Sequence, residues 1–200
     1  MTRYTKQELK DFETDIANCF NNGQIRAPVH LYDGNEEYLI KIFEDINDDD
    51  WVFCTWRSHY QCLLKGVPAK TLKEDILNGK SITLCYPKHR IYSSAIVTGS
   101  IPIATGVALD IKRKAQTNQV WCFLGDMAAE TGCFYENHKY AVNMDLPINF
   151  IIEDNSKSVC TPTKEVWNSD GCSFKGEQKV LYYSYNTKYP HAGAGKRIQF

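Results

Sequence analysis

The chain has 200 residues, 43% of them hydrophobic and 24% charged, enough apolar material for one domain with a substantial core, though two domains are permitted. Its 23 basic and 24 acidic side chains leave a net charge of −1. That argues against a general nucleic-acid or membrane-surface role, since such binding shows as a basic excess.

The N-terminal stretch MTRYTKQELKDF lacks the apolar segment of a secretory signal and reads as the start of a polar helix. Thr5 and Glu8 form a capping box, and Leu9, Phe12, Ile16 and Phe20 then recur at helical spacing until Gly23. A second amphipathic helix is expected from about Asn35, with Tyr38, Leu39, Ile42, Phe43 and Ile46 on one face and the acidic run Asp48–Asp50 as its stop. Trp51–Thr55 reads as a buried strand. Thr71 and Glu74 predict a capped short helix ending near Gly79, followed by a strand at Ile82–Cys85. Pro102–Lys114 is a helix rich in small residues (Ala104, Thr105, Gly106, Ala108), suited to close packing on a sheet. Gln119–Leu124, Leu146–Glu153 and Val180–Tyr185 read as strands, and Ala128–Asn143 as a helix between the first two.

Strands separated by helices predict a three-layer α/β/α fold with a mostly parallel sheet. One domain is expected over residues 1–200, with N-terminal helices in 5–47 and an irregular tail over 186–200. No apolar run approaches the ~20 residues needed to span a bilayer. The eight cysteines form no CxxC pair, and several sit in apolar strands such as WVFC and VWCFL. They are expected to be buried free thiols in a cytoplasmic protein.

Ligands of open parallel sheets sit beyond the carboxyl ends of the strands, where loops meet helix N-termini. Gly125-Asp126 follows one strand directly and Glu153-Asp154-Asn155 follows the next. If those strands are neighbours, the Asp126 carboxylate and the Asn155 amide oxygen converge on one crevice. With a backbone carbonyl and water they make a Mg²⁺-type oxygen set that leaves positions for phosphate. The free N–H groups at the start of the Ala128 helix favour the same phosphates. Taken alone, such an Asp is as readily a helix cap.

The segment GDMAAETGCFYENHKYAVNMDLPINFIIEDN as a whole resembles the thiamine diphosphate motif that begins Gly-Asp-Gly and ends Asn-Asn. It is most similar to the version in alpha subunits of 2-oxo acid and acetoin dehydrogenases. The resemblance implies Mg²⁺ ligation by Asp126, Asn155 and the main-chain carbonyl of Lys157, with Gly125, Met127 and Ala128 against the diphosphate. Thr55-Trp56-Arg57-Ser58-His59 resembles the Tyr-Arg-x-His-Gly stretch of those subunits. It implies cofactor contact at Trp56, a phosphate contact from Arg57, and a diphosphate or substrate-side role for His59. AIVTGSIPIATGVAL resembles their Gly-Ile-Val-Gly-x-x-Val-Pro helix, implying that the backbone of Ala95 and Val97 meets the aminopyrimidine ring.

Two positions depart from that pattern: Met127 replaces the third glycine of Gly-Asp-Gly, and Asp154 replaces the first Asn of the pair. Relatives of this type usually continue further, with a His-bearing loop near the active site, and His191 in the tail is the candidate replacement. His30, His89 and His138 carry no motif and are read as structural. The glutamate that activates thiamine comes from a beta-type partner in two-subunit members, so the resemblance implies half an enzyme. The expectation is an α₂β₂-like heterotetramer that decarboxylates a small 2-oxo acid and passes the acyl or aldehyde unit to a lipoyl carrier or an aldehyde, the latter as in split transketolases. The alternative is a non-catalytic regulatory or assembly subunit of the same fold. A flavodoxin-like nucleotide binder ranks last, because WRSHYQ after the first strand is no glycine-rich loop.

Overall fold

A computed structural model of the chain describes residues 4–169 and 171–199; Phe200, the last residue of the expected tail, lies outside them. In chain order the elements are α1 (Lys6–Asn21), α2 (Glu36–Ile42), β1 (Trp51–Cys54), α3 (His59–Leu64), α4 (Ala69–Leu77), β2 (Cys85–Tyr86), β3 (Ile91–Ser93), α5 (Ser100–Arg113), β4 (Val120–Gly125), α6 (Asp126–Ala129), α7 (Gly132–Asn143), β5 (Ile148–Asp154), β6 (Lys157–Ser158), β7 (Thr161–Pro162), α8 (Thr163–Trp167) and β8 (Val180–Ser184).

The main sheet has the order β2-β3-β1-β4-β5-β8. β3, β1, β4, β5 and β8 are parallel, and only the edge strand β2 is antiparallel. The period-2 alternation of strands divides the core between the two faces. Trp121, Phe123 and Ile151 face the layer of α1 to α4, packing with Leu9, Ile16, Leu39, Tyr60 and Leu72. Val120, Cys122, Leu124, Ile148, Phe150 and Ile152 face α5 to α7, against Ile101, Ala104, Ala108 and Phe134. Each large side chain buried this way stabilises the fold by roughly 1.5–3 kcal/mol. This is the three-layer α/β/α architecture with a mostly parallel sheet that the sequence predicts.

Several boundaries differ, each for a local reason. The Thr5 capping box forms as expected. The one at Thr71 does not: α4 starts earlier, at Ala69, with Pro68 as N-cap and its ring-fixed φ of −59° leading into the helix. The expected helix Ala128–Asn143 is two helices, because the Thr131 side chain accepts from the Phe134 N–H and caps a new start. α2 ends at Ile42, yet Phe43 and Ile46 stay buried in the turn beyond it. The expected strand Ile82–Cys85 shrinks to the two residues of β2, and β3 and α3 have no counterpart in the sequence reading. All eight cysteines are free thiols; Cys19, Cys54, Cys62 and Cys122 are buried, but Cys85 and Cys160 are exposed, against the expectation of burial throughout. No described helix is long and apolar enough to cross a membrane.

The chain leaves β1 in opposite directions: toward β3 on one side, and toward β4, β5 and β8 on the other. The β1/β4 junction is therefore the topological switch point, where open parallel sheets leave a crevice beyond the strand ends.

Candidate functional site

A cleft occupies that crevice, and all five parallel strands lead into it. After β1 come Thr55, Trp56 and Arg57; after β3, Val97 and Thr98. Gly125 at the end of β4 leads into Asp126, Met127 and Ala128 of α6, and β5 delivers Glu153, Asn155 and Lys157. Tyr185 follows β8, and His191 of the tail completes the lining.

Of the residues singled out by the sequence, the cleft brings together Trp56, Arg57, Val97, Gly125, Asp126, Met127, Ala128, Asn155, Lys157 and His191. Two fall outside it. His59 is fully buried in α3, its Nδ1 3.0 Å from Glu13 and its Nε2 2.9 Å from Ser81. A cofactor-side role for His59 is therefore corrected to a structural one. Ser81, His59 and Glu13 have the connectivity of a hydrolase triad, but all three are closed to solvent and tie α1 to the loop before β2. Ala95 is exposed two residues before Val97 and does not line the cleft.

At the Asp126 end, the carboxylate is 4% exposed and accepts from the Thr163 hydroxyl at 2.6 Å. Burial first, and the neighbouring Asp154 charge as well, push Asp126 up to about 6, against the Thr163 bond. Asp154 accepts from the Ser156 N–H at 2.7 Å and from the Tyr182 hydroxyl at 2.5 Å. Asn155 Oδ1 accepts from the Lys157 N–H at 3.1 Å, a tight turn that folds the Lys157 peptide back toward the Asn155 amide. Among the described residues no group of three or more His, Cys, Asp or Glu side chains is placed to hold a metal. A cation here would draw on one carboxylate, one amide oxygen and a main-chain carbonyl. Such an all-oxygen, incomplete set suits a hard divalent ion that keeps waters and phosphate oxygens. Met127 sits in the helical backbone of α6, so nothing in its conformation requires the glycine it replaces.

Glu153, which sequence reasoning passed over as a strand-end residue, forms the floor. It accepts from the Tyr32 hydroxyl at 2.8 Å, from Asn35 Nδ2 at 3.3 Å and from the Tyr183 hydroxyl. Burial pushes it up to about 7, although these donors favour the ionised form.

The far wall is a cluster of rings. Arg57 donates from Nε to the Leu31 carbonyl at 3.1 Å and from its terminal nitrogen to the His191 carbonyl at 3.3 Å. The fork is thus fixed by backbone, with further N–H groups left for an anion. His191 stands edge-on to Trp56 at 5.9 Å between centroids, and its Nε2 lies 3.3 Å from Nε2 of His30. His30, read from the sequence as structural, is buried behind this wall against Trp56 and His191 and does not itself line the cleft. Burial, then the Arg57 charge, lowers both imidazoles, and His30 falls to about 3. The tail is pinned by the Gly193 N–H donating to the Val29 carbonyl at 2.8 Å. On the opposite lip, Thr98 lines the cleft at φ 63°, a left-handed conformation that costs a β-branched residue ~1–2 kcal/mol.

Comparison with known proteins finds relatives of one kind. The chain is 31% identical over 166 residues to the alpha subunit of acetoin:2,6-dichlorophenolindophenol oxidoreductase of Bacillus subtilis, a match covering 78% of this chain and 50% of that one. The Cupriavidus necator subunit of the same name is 30% identical, covering 80% and 52%. The pyruvate dehydrogenase E1 component alpha subunit of Porphyra purpurea is 28% identical, covering 75% and 48%. The chain thus spans about half the length of the curated relatives it matches. The sequence profile of the dehydrogenase E1 component family matches residues 4–180, and the chain belongs to that family.

Proposed function

We propose that the cleft binds thiamine diphosphate with Mg²⁺, and that the chain is the alpha-type half of a two-component enzyme acting on a small 2-oxo acid or a related ketone. The observation that carries this reading is the convergence of Asp126, Asn155 and Lys157 on the cleft that Arg57 and Trp56 also line, in a chain of the dehydrogenase E1 component family.

In this reading Asp126, Asn155 and the Lys157 carbonyl hold the cation. The first backbone N–H groups of α6 and the Arg57 fork would hold the diphosphate, and the Val97 backbone would hold the aminopyrimidine. When bound, the cofactor's thiazolium supplies the chemistry that cleaves the carbon–carbon bond. The chain's own residues orient and neutralise it. Trp56 and Tyr185 keep water from its sides, and His191, held largely neutral by burial and by Arg57, is a hydrogen-bonding group at the mouth. Glu153 is already held by three donors, Tyr32, Asn35 and Tyr183. The carboxylate that activates the pyrimidine ring is assigned to a beta-type partner in an α₂β₂ assembly. The acceptor, a lipoyl carrier or an aldehyde, belongs to the assembled enzyme, and the unpaired thiols fit a reducing, cytoplasmic setting.

The test is a reconstitution. The chain, a beta-type partner, thiamine diphosphate and Mg²⁺ are assayed with pyruvate and with acetoin for reduction of 2,6-dichlorophenolindophenol. Turnover that needs both chains and both cofactors is expected. Turnover by this chain alone contradicts the two-component reading. Complex formation without turnover or cofactor binding favours a regulatory or assembly subunit.

A further inference from the structure

The segment after Asn155 folds back over the Asp126 end of the cleft. β6 and β7 form a two-stranded hairpin in which Lys157 pairs with Pro162 and Ser158 with Thr161. α8 follows immediately, starting at Thr163. Thr163 makes two contacts of different kinds. Its backbone N–H donates to the Ser156 carbonyl at 3.0 Å, closing the hairpin beside Asn155. Its hydroxyl donates to Asp126 Oδ2 at 2.6 Å, reaching across to α6. One residue thus joins the two strand ends that carry Asp126 and Asn155, and holds the hairpin that carries the Lys157 carbonyl.

Resting on the proposed function above, we infer that Thr163 is a positioning residue of the cation site: its hydroxyl orients the Asp126 carboxylate and locks the hairpin so that the three protein oxygens are in place before the cation arrives. The chemistry favours this use of a hydroxyl. A carboxylate 4% exposed can rotate between its two oxygens, and the short bond from the Thr163 hydroxyl commits one of them to a fixed donor. Val has the same shape without the donor, so the hydroxyl can be removed with little change in packing. Losing an outer partner of a metal ligand typically costs 10–100-fold in affinity.

The experiment follows thiamine diphosphate binding by quenching of tryptophan fluorescence, Trp56 being in the cleft, in the full chain at increasing Mg²⁺. It compares wild type with Thr163→Val, Thr163→Ser and Thr161→Val, the last a change on the same hairpin that leaves Asp126 alone. Thr163→Val should raise the half-saturating Mg²⁺ concentration by about 10-fold or more, while Thr163→Ser and Thr161→Val stay close to wild type. At saturating Mg²⁺ the thiamine diphosphate affinity of Thr163→Val should return to nearly that of wild type. If Thr163→Val fails to fold, Thr163→Ala serves as the second hydroxyl deletion. The inference is overturned if the hydroxyl deletion leaves the Mg²⁺ dependence unchanged, if the Ser variant shifts as much as the Val variant, or if the loss persists at saturating Mg²⁺. Failure of the wild type to bind thiamine diphosphate at any Mg²⁺ concentration would remove the proposed function, and this inference with it; binding by wild type with unaltered Thr163→Val would remove the inference alone.

Discussion

The two ends of the cleft are built on opposite principles. At the Asp126 end, the residues come from two consecutive strand ends and the hairpin that follows, so the geometry is local to one β4-α6-α7-β5 passage. At the ring-lined end, His30 and His191 meet across 161 positions of sequence, and Arg57 reaches the His191 carbonyl across 134. The first end is a motif; the second exists only because the tail folds onto the Val29–Gly34 stretch. Chemistry differs as well: buried carboxylates with raised pKa face a ring wall whose imidazoles are kept neutral. A site for an anionic ligand carried on a cation needs both, negative oxygens for the metal and an uncharged or cationic wall for the rest.

The largest effect that would break this contrast is expected at Gly34. It has φ 94°, and a Cβ there would sit 2.1 Å from the backbone oxygen of Asn186. Gly34→Ala should cost about 3 kcal/mol or more in urea unfolding, since backbone on both sides must yield. It should also open residues 185–195 to limited proteolysis while the helices of the other end stay protected. If the tail stays protected, the ring wall does not depend on this close approach.

Glu153 in the floor and His30 behind the ring wall should also titrate in opposite senses in the absence of cation. Glu153 is raised from an ordinary 4.5 to about 7, so its contribution to stability is fully present below 4.5 and is lost as pH rises through about 7. His30 is lowered from an ordinary 6.5 to about 3, so its contribution is present above 6.5 and is lost as pH falls toward 3. Denaturant midpoints measured from pH 4 to 8 should show Glu153→Gln flattening the neutral side and His30→Gln flattening the acid side. Identical profiles for the two variants would contradict the assignment.

The smallest expected effect is at Thr98. Thr98→Gly relieves a left-handed β-branched residue but loosens the unfolded chain, for a net gain of up to about 1 kcal/mol. A thermal midpoint that falls instead would mean that the Thr98 side chain contributes contacts outweighing its strain.

What the sequence revealed follows the same division. Asp126 and Asn155 were legible as cleft residues because strand ends and a following helix fix their positions from nearby residues, whereas Lys157 and Arg57 were reached only through the resemblance. The parallel sheet was legible from strands alternating with helices, whereas the split of Trp121 and Phe123 from Cys122 and Leu124 came from the structure. Glu153 was not legible, although it sits beside the motif, because its partners Tyr32, Asn35 and Tyr183 arrive from distant segments. His59 was misplaced because a motif gives a residue's place in the chain and not the direction of its side chain; the start of α3 turns it toward Glu13 and Ser81. Thr163 lay in a polar stretch without periodicity, and only the hairpin's return brings it onto Asp126. His30 had no local signal at all.

The central claim is that Asp126 and Asn155 hold a cation for a diphosphate, and calorimetric titration of thiamine diphosphate into the chain with and without Mg²⁺ tests it most directly. Binding that requires Mg²⁺, strengthens when a beta-type partner is added, and weakens by about 100-fold or more (about 2.7 kcal/mol) in Asp126→Ala is the predicted result. Binding that is indifferent to Mg²⁺, or that survives unchanged in Asp126→Ala, would contradict it.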